Sequence, residues 1–131
     1  MIDRLDIQDT ISLYHEGAST ADVDKLIATF LPDAVWEVPA LKMHCQGHAD
    51  IRATMAAVLE PIDYLVQINA PAIIAVDGDR ASARTLVREV AKFHGRDGVV
   101  DVVGQFDDDL ARTPDGWRFA RRTFTIIGME R

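Results

Sequence analysis

Apolar residues recur at helical spacing near the N-terminus. Ile7, Ile11, Tyr14 and Ala18 share one face, with Asp3, Asp9 and Ser12 between them. This pattern predicts an amphipathic helix over about residues 3–17, with Gly17 as its stop. Val23, Leu26, Ile27 and Phe30 form the stripe of a short second helix near 21–31, with Asp22 as N-cap and Pro32-Asp33 as its end. Residues 34–38 alternate as a strand that Pro39 closes. Leu41 to Gln46 reads as a short edge strand. Gly47 then leads into a third helix over about 49–59 that buries Ile51, Met55, Val58 and Leu59. From residue 62 the pattern turns to β-type runs over 63–76, 80–94, 99–111 and 117–129. Turn signals separate them: Asp77-Gly78-Asp79, Gly95-Arg96-Asp97-Gly98 and Thr113-Pro114-Asp115-Gly116. Three helices followed by a meander of antiparallel strands predict an α+β domain, with the helices packed on one face of a curved sheet. A chain of 131 residues is one such domain, 1–131.

The late runs are apolar on both faces. Val100, Val102 and Phe106 point one way, and Val99 and Val103 the other. In the last run Trp117, Phe119 and Ile127 oppose Phe124 and Ile126. An antiparallel sheet with one wet face alternates more cleanly. One face is therefore expected to meet the helices and the outer face a second copy of the chain, as a homodimer.

Charge and cysteine content narrow the function classes. A net charge of −7 makes a poor partner for a phosphate backbone, so no nucleic acid is expected. The single cysteine, Cys45, excludes an internal disulfide and any multi-cysteine metal site, and fits a cytoplasmic location. The N-terminus lacks the apolar core of a signal peptide, and no run approaches the ~18 apolar residues of a membrane span. His44 and His48 lie four apart, but Gly47 and the strand-to-helix change between them spoil a metal pair. No metal and no cofactor are expected.

Longer-range spacing carries a resemblance. The run Tyr14-x4-Ser19-x2-Asp22-x-Asp24-x5-Phe30-x2-Asp33-Ala34-Val35-Trp36-Glu37-Val38-Pro39 resembles the opening of SnoaL-like proteins, in the nuclear-transport-factor-2-like superfamily. So do Asp77-Gly78-Asp79-x-Ala81, Gly104-x-Phe106-x-Asp108-x-Leu110-x-Arg112 and Asp115-Gly116-Trp117-Arg118-Phe119. The resemblance spans almost the whole chain. It implies a cone-shaped fold, three N-terminal helices on a strongly curved antiparallel sheet, and a cavity that hosts lyases, isomerases, cyclases or non-catalytic binding modules. Fold alone does not choose among these.

Carried over residue by residue, the resemblance is mostly negative. Scytalone-dehydratase-like and dehydrochlorinase relatives have an Asp where this chain has Ser19, and a His where it has Gln67 or Val66. Ketosteroid isomerases have acids at the positions of Val38 and Val102. Only the helix tyrosine is kept, as Tyr14, which implies a hydrogen-bond donor toward a developing oxyanion. None of the replacements can abstract a proton.

The resemblance and the residues together set the remaining candidates. Tyr14 is the expected donor, against the plainer role of a core tyrosine. Trp36, Val38, Val102 and Phe106 are expected cavity walls, and Gln67 and Ser19 could orient a ligand. Glu89 alternates with Ala83, Thr85, Val87, Ala91 and Phe93, while Arg88 shares the other face with Leu86 and Val90. A carboxylate on an apolar face would serve as acid or base. An ion pair at an interface is the competing reading, and strand alternation does not say which of the two points inward. Asp101 would face inward only through a bulge. His15, off the helical stripe, and His94, beside a turn, are expected in solvent, and His44 could reach the cavity mouth. Asp108, Arg112 and Arg122 match positions that the resemblance implies are structural, and could form ion pairs at the sheet end. Two functions stay open: an enzyme acting on a small apolar cyclic or aromatic molecule, and a non-catalytic ligand-binding or dimerisation module.

Overall fold

The apolar stripe of the N-terminal run forms one side of the core. A computed structural model gives the structure of the chain and describes residues 2–131. Its first helix, α1 (Ile2–Ser19), buries Ile7, Ile11, Tyr14 and Ala18. The helix runs on past Gly17. That glycine instead marks a close approach: a Cβ there would lie 2.9 Å from the backbone nitrogen of Leu26 on the next helix, α2 (Val23–Ile27). The Asp22 side chain caps α2, accepting from the Lys25 backbone N–H at 3.1 Å.

Helix α2 is shorter than the sequence predicts because the sheet claims the residues after it. The Phe119 amide donates to the Thr29 carbonyl at 2.8 Å, and Phe30 already pairs with Phe119. Strand β1 (Phe30–Val38) therefore contains Pro32-Asp33 instead of starting after it. Between Phe30 and Val35 the pairing shifts register, so Pro32, which has no N–H to give, lies at an irregularity in the ladder.

A single 3-10 turn (Pro39–Leu41), β2 (Met43–Gln46) and α3 (His48–Leu59) follow. The run expected as one strand over 63–76 is two, β3 (Ile62–Asn69) and β4 (Ile73–Asp77), interrupted around Pro71. Both pair with the long β5 (Arg80–Phe93). Strands β6 (Val100–Thr113) and β7 (Gly116–Glu130) complete the sheet. Its order is β2-β1-β7-β6-β5-β3, with β4 also on β5. The β1–β7 pairing is parallel and every other pairing is antiparallel, so the sheet is mixed where the sequence predicts an antiparallel one. Side-chain alternation carries no information on strand direction, which is why the difference was not legible.

Bulges curve the sheet. The β6–β7 register slips between Val103 and Gly104 and again between Asp109 and Leu110. Each slip flips which residues of β7 point inward. Trp117 and Phe119 are buried before the second slip, and Arg122 after it. Helix α1 lies inside the resulting cone, against β3 on one side and β7 on the other.

Candidate active site

The concave face encloses a cavity of about 340 Å³. Apolar side chains dominate its wall, among them Trp36 and Val38 from β1, Val102 and Phe106 from β6, and Phe124 from β7. Tyr14 from α1, Gln67 from β3 and Glu89 from β5 bring polar atoms to it. Glu89 is the single acidic side chain among the described lining residues. Arg96 and Arg131, both exposed, are its cations.

Strand register explains who meets whom. Gln67 is directly opposite Glu89, and Glu89 is opposite Val102, so the three form one inward row across β3, β5 and β6. A second row joins Asp108, Arg122 and Trp36 across β6, β7 and β1. Tyr14 reaches into the cone from the helix side.

Tyr14 is fixed on all sides. Trp36 Nε1 donates to its Oη at 3.1 Å. Phe30, Phe106 and Phe119 meet its ring edge-on, with centroids 5.6–6.1 Å away. Burial pushes the hydroxyl up to about 12, against the pull of Arg122 and the Trp36 hydrogen bond. The phenol therefore stays protonated near neutral pH. With Trp36 occupying one lone pair, its own O–H can donate into the cavity.

Glu89 faces inward and Arg88 outward. Arg88 forms a two-point contact with Asp101, at 3.0 and 2.6 Å, on the outer face. Asp101 thus does not bulge inward. Glu89 accepts from Gln67 Nε2 at 2.9 Å and forms no ion pair among the described residues. Burial holds its carboxyl above the usual range, and the Gln67 hydrogen bond only partly offsets this. Gln67, not Val66, is the residue at the site; Val66 is exposed on the opposite face.

His15 overturns an expectation. It is 3% exposed, not solvated, because α1 sits inside the cone and buries more than one stripe. Its Nδ1 lies 2.6 Å from Gln67 Oε1, and its Nε2 lies 3.5 Å from Arg122 Nη2. Burial first, and the neighbouring Arg122 second, push it down to about 3. It is neutral at ordinary pH.

Arg122 and Asp108 are not at a sheet end but in the centre of the core, both side chains 0% exposed. Arg122 Nε donates to Asp108 Oδ1 at 2.8 Å and its Nη2 contacts Oδ2 at 3.3 Å. The guanidinium also packs over the rings of Tyr14, Phe106 and Phe119, at 4.2, 3.8 and 4.4 Å. Arg112 does pair at the surface, with Asp3 and Asp79.

Ser19 does not line the cavity. Its Oγ accepts from the Gln67 backbone N–H at 2.9 Å, tying α1 to β3 behind the site. His94 is exposed, and exposed His44 contacts Glu37 at 3.0 Å instead of the cavity. No group of three or more His, Cys, Asp or Glu is placed to hold a metal ion among the described residues. No helix among them is long and apolar enough to cross a membrane.

The sequence signal for His15 and Arg122 was thin. His15 sits outside the helical stripe, and Arg122 falls after a bulge, where continued alternation from Trp117 and Phe119 would turn Arg121 inward instead.

A curved sheet closed over one long helix, with an apolar cavity and buried polar groups at its wall, defines a class of small α+β cone domains. The chain belongs to the SnoaL-like domain family, which it matches over residues 1–123, and its fold is of the nuclear-transport-factor-2-like type. It is 33% identical over 124 residues to Rv2910c, an uncharacterized protein of Mycobacterium tuberculosis, covering 94% of this chain and 84% of that relative. A crystal structure from Novosphingobium aromaticivorans, provisionally called an aromatic ring hydroxylase, superposes with a TM-score of 0.90 at 28% identity, over 98% of this chain and 92% of that one. Hexachlorocyclohexane dehydrochlorinase LinA-type3 from Novosphingobium barchaimii LL02 superposes with a TM-score of 0.87 at 15% identity, over 97% and 88%.

Proposed function

We propose that the chain is an acid–base enzyme for a small apolar molecule, cyclic or aromatic, with lyase, isomerase or cyclase chemistry, and that it works as a homodimer joined through the outer sheet face. The observation that carries the reading is Glu89: one carboxylate without an ion-pair partner among the described residues, on an apolar cavity wall shared with Tyr14. Similarity to an enzyme named for a chlorinated cyclohexane and to one named for an aromatic ring supports the substrate class.

The chemistry follows from the two groups. Glu89 takes a proton from a carbon next to a carbonyl. The C–H electron pair moves into the carbon framework and the negative charge collects on the carbonyl oxygen. The Tyr14 O–H donates to that oxygen, stabilising the charge as it forms. Returning the proton to another carbon gives an isomerase. Losing a leaving group from the adjacent carbon gives a lyase. Desolvation makes Glu89 a stronger base than a carboxylate in water, and Gln67 keeps one of its oxygens oriented.

A binding module is the second reading, and the resemblance favours it: where it implies Asp and His in catalytic relatives, this chain has Ser19 and Gln67. One experiment separates the two. Thermal shifts with a panel of phenolic, steroidal and terpenoid compounds identify ligands. Carbonyl-bearing ligands are then followed by NMR in deuterated water for exchange at the adjacent carbon. The enzyme reading expects exchange that falls about 100-fold or more in Glu89→Gln and ~10- to 100-fold in Tyr14→Phe. Binding without exchange or turnover leaves the module.

A further inference from the structure

The hydrogen bonds around Glu89 have only one consistent direction. A carboxylate can only accept, so the group that Gln67 presents to Glu89 is its N–H, at 2.9 Å. Its carbonyl oxygen then faces His15, 2.6 Å away. A carbonyl oxygen can only accept, so His15 Nδ1 carries the proton. That leaves His15 Nε2 with a lone pair, which is what the Arg122 guanidinium faces at 3.5 Å. Arg122 cannot lose its protons, and it is held by the fully buried Asp108. The donors run one way, from Arg122 through His15 and Gln67 to Glu89.

We propose that His15 is a positioning residue that locks the Gln67 side-chain amide in the one orientation that donates to Glu89, and that Arg122 enforces the His15 tautomer this requires. The inference rests on the acid–base reading of Glu89 but assigns His15 a role that reading does not need. His15 is next to the expected donor Tyr14 on the helix, yet it acts as neither acid nor base. Without it, the Gln67 amide could turn and present its oxygen to Glu89, repelling the carboxylate.

The arrangement tolerates both charge states of Glu89. When Glu89 takes a proton on Oε2, Oε1 still accepts from Gln67, and no other member of the chain must move. The charged and titratable groups facing this assembly are Tyr14 and His15 on α1, Glu89 on β5, Asp108 on β6 and Arg122 on β7. Of these, Arg122 alone contacts His15 as a cation, and it faces the nitrogen that a second proton would need.

Two measurements test this. In wild-type protein, nitrogen-15 NMR of the histidines reads the tautomer without any substitution. The expected result is His15 with its proton on Nδ1, unchanged from pH 8 to pH 5. A proton on Nε2, or titration of His15 within that range, overturns the proposal. Carbon-13 NMR of the Glu89 carboxyl then compares variants. Loss of an ordered donor in His15→Phe is expected to move the Glu89 titration up by about 0.5–1 unit, the equivalent of one ordinary hydrogen bond. His15→Asn, whose amide N–H takes the place of Nδ1–H, is expected to restore most of that shift. A Glu89 titration unmoved in a folded His15→Phe, or moved equally in both variants, overturns it. The acid–base reading fails separately, if Glu89→Gln leaves proton exchange intact.

Discussion

Glu89 shows how a single residue can couple function to stability. Its carboxyl sits above the usual range because burial disfavours the anion. The native state therefore binds this proton more tightly than the unfolded chain, where a glutamate titrates at about 4.3. As pH rises through the native value, the ionised group costs stability, and the cost levels off above it. Glu89→Gln removes the charge and keeps an oxygen to accept from Gln67. The variant is expected to melt ~2–5 °C higher than wild type at pH 8. The two curves converge below about pH 4, where both states of the wild type carry the proton. Thermal melts across pH 3–9 check this, and a variant less stable than wild type at pH 8 contradicts it. The inward carboxylate was half legible in sequence. Alternation placed Glu89 with Val87 and Ala91, and Arg88 with Leu86, but the two faces are too similar in hydropathy to name the inner one. The hydrogen bond to Gln67 decides it.

At the scale of elements, the strands obey alternation until a bulge resets it. Turn residues, helix stripes and most strand limits were readable because they depend on local spacing. What depends on pairing was not: the parallel β1–β7 contact, the strand that begins at Phe30, and the inward turn of Arg122. Gly104 sits at one of these resets. A Cβ there would meet the Phe124 ring at 2.2 Å and the Thr125 carbonyl at 2.7 Å. The ring crosses β6 only because that position has no side chain. Gly104→Ala must push Phe124, a cavity wall residue, toward the lumen or force the strands apart. Such overpacking costs about 1–3 kcal/mol. The melting temperature is expected to fall, together with affinity for any cavity ligand. Gly128 is the control, since a Cβ there meets nothing within 4 Å. Gly128→Ala should leave both quantities unchanged, so equal losses in the two variants would point to a general β-strand effect and not to Phe124.

For the whole molecule, the sheet divides the chain into a concave face that encloses the cavity and a convex face that no helix covers among the described residues. On the convex face Tyr64, Val66 and Ile68 of β3, Leu86 of β5 and Val103 of β6 are exposed large apolar side chains. In the middle of them lies the Arg88–Asp101 pair. In the proposed homodimer a two-fold contact would set this patch against itself, and the pair would supply both signs of charge, so that each arginine could find the other copy's aspartate. Net charge works the other way: two chains of −7 repel at low ionic strength. Salt screens that repulsion while leaving apolar burial intact. Dimer formation is therefore expected to strengthen as salt rises from about 20 mM to about 300 mM, where the Debye length drops well below the span of the patch. Sedimentation velocity reads this directly. Leu86→Glu, which puts a negative charge on this exposed patch, should give monomer at every salt concentration and leave the melting transition cooperative. A wild type that is monomeric throughout, or a dimer that weakens with salt, would overturn the proposed dimer through the apolar convex face.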